Sequence, residues 1–149
     1  MPKSSRSFLF PDVNVWLALS YQRHVHYPPA RAWFERLEDE ARICFCRLTQ
    51  IGLLRLLTTV AVMGEEDVLS QAGAWQVYDR WLADDRVLFL EELPNLERGF
   101  RMFSRQQRPA PKDWSDSYLC AFAETSGLRL VTFDGAFHSK APNIIVLTS

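Results

Sequence analysis

Apolar residues along this chain fall into two rhythms. Short, almost unbroken apolar runs occur at 8–12, 43–46, 87–90, 128–132 and 143–147. Runs of that length with few polar positions read as strands buried on both faces. Between them, apolar residues return at spacings of three and four, the period of a helix with one buried face. Ala30, Trp33, Phe34 and Leu37 mark a helix over 30–40, and Leu53, Leu54, Leu57, Val60 and Ala61 one over 50–63. Trp75, Tyr78 and Leu82 mark another over 68–83, and Leu119, Phe122 and Ala123 one over 113–126. Shorter helical stretches are expected over 14–20 and 96–107. Thr49 reads as the N-cap of the 50–63 helix, Gly64 and Gly127 as helix stops, and Pro109 and Pro111 as the break after 107. Residues 21–29, with His24, His26 and two prolines, read as a loop. Strands alternating with helices predict an α/β fold: a central, mainly parallel five-stranded sheet flanked by helices on both faces.

Length and composition narrow this picture without redirecting it. The 149 residues fit a single domain over 1–149 with no linker or internal repeat. A formal net charge of −1 argues against a generally basic nucleic-acid binder but leaves room for a local basic patch. Three cysteines, Cys44, Cys46 and Cys120, have no Cys-x-x-Cys spacing and read as buried thiols of a reduced protein. Lys3 and Arg6 are not followed by a long apolar segment, and no apolar stretch is long enough to span a bilayer. The expectation is a soluble, cytoplasmic protein without membrane contact.

Candidate chemistry sits where strands end. The first apolar run closes on Asp12 and the fourth is followed by Asp134, and the helix opening at Asp113-Trp114-Ser115-Asp116 carries a third acid in its first turn. Ligands of open parallel sheets bind at the carboxyl edge of the strands, so Asp12, Asp116 and Asp134 form a candidate shared site. An all-carboxylate set suits a hard divalent cation such as Mg²⁺ and speaks against zinc. Each acid also has a local reading. Asp12 can cap the helix behind it, Asp113 can be the cap of a box with Asp116 at the third position, and Asp134 can be the turn residue of Asp134-Gly135.

Four segments carry a family resemblance: Asp12-Val13-Asn14-Val15-Trp16-Leu17-Ala18-Leu19, Thr49-Gln50-Ile51-Gly52-Leu53-Leu54-Arg55-Leu56-Leu57-Thr58, the segment from Asp113 to Ala123, and Leu130-Val131-Thr132-Phe133-Asp134-Gly135-Ala136-Phe137. In this order they resemble the motifs of PIN-domain ribonucleases, and among those the VapC toxins of type II toxin–antitoxin systems. The resemblance implies a PIN fold and a Mg²⁺- or Mn²⁺-dependent endoribonuclease that hydrolyses RNA by metal-activated water, with transfer RNA or another structured RNA as substrate. It further implies a homodimer and a VapB-like antitoxin as partner. Asp12, Asp116 and Asp134 match the family's catalytic, metal-binding acids. Asn14, Thr49, Asp113 and Ser115 are accessory candidates. Gln50 stands where the resemblance leads one to expect a glutamate, which predicts weaker cation binding because the charge is lost. Arg55 faces phosphate or solvent. Two other readings remain at this point: a catalytically weak PIN domain that binds RNA or protein, favoured by Gln50, and a phosphatase using Asp12 as nucleophile.

Overall fold

The computed structural model describes residues 7–141 and 143–148, so the polar lead with Lys3 and Arg6 lies outside the described residues. Five strands form one sheet: β1 (Phe8–Pro11), β2 (Arg42–Phe45), β3 (Val87–Phe89), β4 (Arg129–Thr132) and β5 (Ile144–Val146). The strand order is β3-β2-β1-β4-β5, and every pairing is parallel. Leu9, Phe10 and Pro11 lie opposite Arg129, Leu130 and Val131. The chain therefore winds one way from β1 and the other way from β4, and the crevice at that reversal is where open α/β sheets bind ligands.

The alternation of side chains along each strand divides the core in two. Leu9, Ile43, Phe45 and Val131 face one side, under α1 (Val13–Ser20), α2 (Tyr27–Glu35), α3 (Arg47–Leu57) and α5 (Gln71–Leu82). Trp16 is fully buried there and stacks on Phe45 with ring centroids 3.8 Å apart. Phe10, Cys44, Cys46 and Leu130 face the other side, under α6 (Leu96–Phe103) and α7 (Asp113–Ser126). All three cysteines sit on this second face, free and buried. Burial holds their thiols protonated, with Cys44 pushed up to about 12 and Cys120 to about 11.

Several helix boundaries differ from the periodicity, each for a local reason. The helix expected at 30–40 runs from Tyr27 to Glu35. Pro28 and Pro29 occupy its first turn, where a missing N–H costs nothing. The helix expected at 50–63 is two helices, α3 and α4 (Val60–Met63), separated at Thr58 and Thr59. Their hydroxyls donate back to the carbonyls of Leu54 and Arg55 at 3.0 and 2.6 Å, competing for the acceptors that helix continuation needs. α5 begins at Gln71 rather than 68 because Ser70 caps it, accepting from the Gly73 N–H at 3.0 Å. α6 ends at Phe103, short of 107. A 3-10 turn over Gly135–Ser139 has no counterpart in the periodicity. Among the described residues no helix is long and apolar enough to cross a membrane.

Candidate active site

Asp12 follows directly on β1 and is 6% exposed. One carboxylate oxygen accepts the Val15 N–H at 3.2 Å, so Asp12 does cap α1. The other accepts the hydroxyl of Thr132, the last residue of β4, the strand beside β1 across the reversal. Thr132 Oγ1 in turn accepts the Asp134 N–H at 3.0 Å. A single hydrogen-bonded chain thus runs from Asp134 through Thr132 to Asp12. Asp134 itself caps the 3-10 turn, its carboxylate accepting the Ala136 N–H at 2.9 Å. The capping readings and the shared-site reading of these acids are therefore compatible.

Asp116 completes the group from the first turn of α7. It lines a cleft of about 380 Å³ together with Asp12, Asn14, Gly52, Arg55 and Ser115. Burial raises the Asp116 carboxyl, and the charges of Asp134 and Asp113 raise it further. Burial likewise pushes Asp12 up to about 6, against the pull of its hydrogen bonds from Thr132, Val15 and Asn14, and the Asp116 charge adds to the rise. Asp12 and Asp116, each raised by burial and by the charge of a neighbouring acid, are in want of a positive charge.

Gly52 is the tight point of the cleft wall. A Cβ built there would come 2.6 Å from a methyl of Val13, the residue after Asp12. The absence of a side chain lets α3 press against the start of α1 and hold the turn that presents Asp12.

Not every accessory candidate reaches the cleft. Asn14 and Ser115 do. Thr49 is fully buried and is not the helix N-cap. α3 begins at Arg47 with Cys46 as cap, and Thr49 at the third position accepts the Cys46 N–H at 3.0 Å, forming a capping box. From this helix Leu48, Ile51, Gly52 and Arg55 line the cleft with Asp12 and Asp116. Gln50 is 6% exposed and does not line the cleft; its carbonyl accepts from Arg47 at 2.6 Å, and it also bonds the Tyr78 hydroxyl of α5. Asp113 is not a cap either; it is the first residue of α7. It is held below the usual carboxylate range by the Lys140 ammonium at 2.7 Å and also takes a hydrogen bond from Ser117 at 2.9 Å. His26 stacks on Phe133, with ring centroids 4.4 Å apart, rather than entering the cleft.

Thr132 and Lys140 are the site residues that periodicity did not single out. Thr132 left one trace, a polar residue in the otherwise apolar run Leu130-Val131-Thr132. Lys140 left none, since its partner Asp113 lies 27 positions away in sequence.

The donor set fits a hard divalent cation. Among the described residues no three His, Cys, Asp or Glu side chains form a ready cage. Mg²⁺ suits such a place, because it keeps several waters and takes only one or two carboxylates. The electrostatics give a test that needs no substrate. The Asp12 carboxyl titrates near 3.8 when unfolded and about 6 when folded. Its ionisation therefore opposes folding, with no effect below about pH 4 and the full effect above about pH 6. That difference corresponds to ~3 kcal/mol at neutral pH. In chelator at pH 7.5, Asp12→Asn is expected to raise unfolding free energy by ~1–3 kcal/mol, and the gain vanishes at pH 4. Urea melts at the two pH values check this; a destabilised variant at pH 7.5 contradicts the charge-crowded site.

A PIN-domain model matches residues 9–142. With the parallel sheet and the acids at its reversal point, this places the chain in the PIN-domain family. Ribonuclease VapC41 of Mycobacterium tuberculosis is 46% identical over 132 residues, covering 87% of this chain and 90% of that protein. Ribonuclease VapC44 of the same organism is 30% identical over 129 residues, covering 83% of each. Within the PIN-domain family, this chain belongs to the VapC ribonucleases. The fold is shared with the crystal structure of M. tuberculosis VapC20, described as a sarcin–ricin-loop-cleaving toxin: TM-score 0.69, 17% identity, 95% of this chain and 100% of that one. It is also shared with VapBC2 of Rickettsia felis, bound to a promoter DNA fragment: TM-score 0.66, 12% identity, 93% and 96% coverage.

Proposed function

We propose that this chain is the toxin of a type II toxin–antitoxin pair and acts as a Mg²⁺- or Mn²⁺-dependent endoribonuclease on transfer RNA or another structured RNA. The observation that carries the reading is the convergence of Asp12, Asp116 and Asp134 at the sheet's reversal, where each raised carboxyl is raised partly by a neighbouring acid. A divalent cation bound there supplies charge neutralisation at the phosphodiester and acidifies water. Asp12 and Asp116, which share the cleft, would hold it, with Asp134 joined to Asp12 through Thr132. Thr132 fixes the orientation of Asp12 and favours its ionised form. Asn14 and Ser115 offer hydrogen bonds to RNA at the cleft mouth. Arg55, exposed and without an ion-pair partner among the described residues, faces the phosphate backbone from the α3 side. The phosphatase reading falls with the family assignment.

A VapB-like antitoxin is the expected partner, since structural relatives include VapBC assemblies such as that of nontypeable Haemophilus influenzae. A second copy of the chain is expected to cover exposed apolar side chains such as Val60 and Val62 on α4. The single domain over 1–149 remains part of the proposal.

Gln50 separates this reading from that of a weak binding module. The module was favoured because a glutamine replaced a metal-binding acid, but Gln50 is engaged by Arg47 and Tyr78 away from the cleft. Mn²⁺ is expected to bind the wild type and Gln50→Glu with affinities equal within threefold, and Asp116→Asn at least tenfold more weakly. Calorimetry decides. Tighter binding by Gln50→Glu would return that residue to the site, and equal binding by Asp116→Asn would remove the acid from it.

A further inference from the structure

The chain is close to neutral, yet residues 98–112 contain five of its 17 Lys and Arg and no acid. The structure sets this segment beside the acidic cleft. An open hollow of about 520 Å³ lies between α6 and the start of α7, lined by Glu97, Phe100, Arg101, Ser104, Arg105 and Trp114. That volume is within the ~300–1,000 Å³ of sites that hold a small organic group. Trp114 is 59% exposed. Its ring is braced edge-on by Phe100 at 6.2 Å, so the indole is positioned although its face is open to solvent. A neighbouring hollow carries Arg108 and Lys112 up to Asp113 and Asp116. Arg101 is engaged by Glu97 at 3.0 Å. Arg105, Arg108 and Lys112 have no ion-pair partner among the described residues, whereas Asp113, which lines the second hollow, is paired with Lys140.

An exposed aromatic face next to unpaired cations is the combination that binds single-stranded nucleic acid: bases stack on the ring and phosphates meet the cations. We propose that Trp114 with Arg105 forms a base-stacking subsite for an unpaired nucleotide of the RNA substrate, and that Arg108 and Lys112 lead the adjoining backbone to Asp116. Two positions apart on α7, Trp114 and Asp116 lie on different faces of the helix, so the RNA strand reaches Asp116 through the hollow of Arg108 and Lys112 rather than at the stacked base itself. The inference rests on the endoribonuclease reading and adds to it where the RNA lies. The occupant is RNA rather than protein because charge complementarity decides: Arg105, Arg108 and Lys112, unpaired among the described residues and lining the two hollows beside an exposed indole, match a phosphate backbone.

The test is fluorescence anisotropy of the full-length protein with fluorescein-labelled bulk transfer RNA in chelator, over a salt series, beside cleavage of the same RNA with Mn²⁺. Trp114→Ala is expected to weaken binding roughly tenfold and Trp114→Phe far less, as stacking requires. Arg105→Ala combined with Arg108→Ala is expected to lower the slope of log affinity against log salt by about 1.4, at ~0.7 per phosphate contact on a single strand. Unchanged affinity and slope in variants with wild-type thermal midpoints, while the wild type still binds and cleaves, would overturn the subsite and leave the nuclease standing. So would a loss confined to self-association or to antitoxin binding, which would make the hollow a protein interface. A wild type that neither binds nor cleaves RNA overturns the subsite together with the reading beneath it.

Discussion

Asp116→Asn is expected to lower RNA cleavage about 10³-fold or more while the protein stays folded. The magnitude follows from the role: charge stabilisation by a bound cation is worth several kcal/mol, and each ~1.4 kcal/mol is a factor of ten in rate. The fold survives because Asp116 is half-buried on the open side of α7, where burial and neighbouring acids already oppose its charge. Removing that charge relieves a repulsion and breaks no ion pair, since the helix's salt bridge is made by Asp113 with Lys140. Asp12→Asn acts in the same direction on cleavage. Single-turnover cleavage of bulk transfer RNA with Mn²⁺, with circular dichroism as the folding control, measures both. A folded Asp116→Asn enzyme with more than a tenth of wild-type activity would exclude that acid from the reaction.

Thr132→Val is expected to cost roughly 10–100-fold in cleavage, the usual consequence of removing a group that orients a metal ligand. Valine preserves shape but deletes both functions of the hydroxyl. Asp12 loses a donor, and the Asp134 N–H loses its acceptor. The sign of the pH effect is fixed. The Thr132 hydroxyl lowers the Asp12 pKa, so its removal moves that carboxyl above about 6. The activity profile of Thr132→Val therefore shifts to higher pH, with a smaller defect at pH 8.5 than at pH 6.5. Thr132→Ser restores the hydroxyl and most of the rate. A loss in Thr132→Val that is equal at both pH values, or not rescued by serine, would mean that the residue only fills space.

What was legible in the sequence follows from how locally each feature is determined. Asp12 and Asp134 could be read because each ends an apolar run, and a strand's carboxyl end is where a parallel sheet presents ligands. The sheet buried on both faces followed from the almost unbroken apolar runs of its strands. Gln50 entered the candidate site through the resemblance alone, and no local pattern showed that its amide engages Arg47 and Tyr78. Thr49, a favoured cap type, reads as the start of a helix that in fact begins at Arg47, and cysteine is not a residue one expects at a cap. The earlier start adds a turn to the helix without changing its phase: Leu53 and Leu57 are buried as their spacing implies, Gly52 and Arg55 face the acids, and Gln50 bonds Tyr78. Thr132 needed the β1–β4 pairing, which links residues 120 positions apart. The Asp113–Lys140 pair depended on how the turn after β4 folds back toward α7, and no local pattern announces that.

The most direct test of the central claim is cleavage of total cellular RNA by the purified protein in Mg²⁺, in Mn²⁺ and in chelator, with Asp12→Asn alongside. A metal-dependent endoribonuclease built on these acids predicts a few discrete fragments with either cation, none in chelator and none from the variant. Cutting that persists in chelator or in Asp12→Asn, or intact RNA under every condition with folded protein, would contradict it.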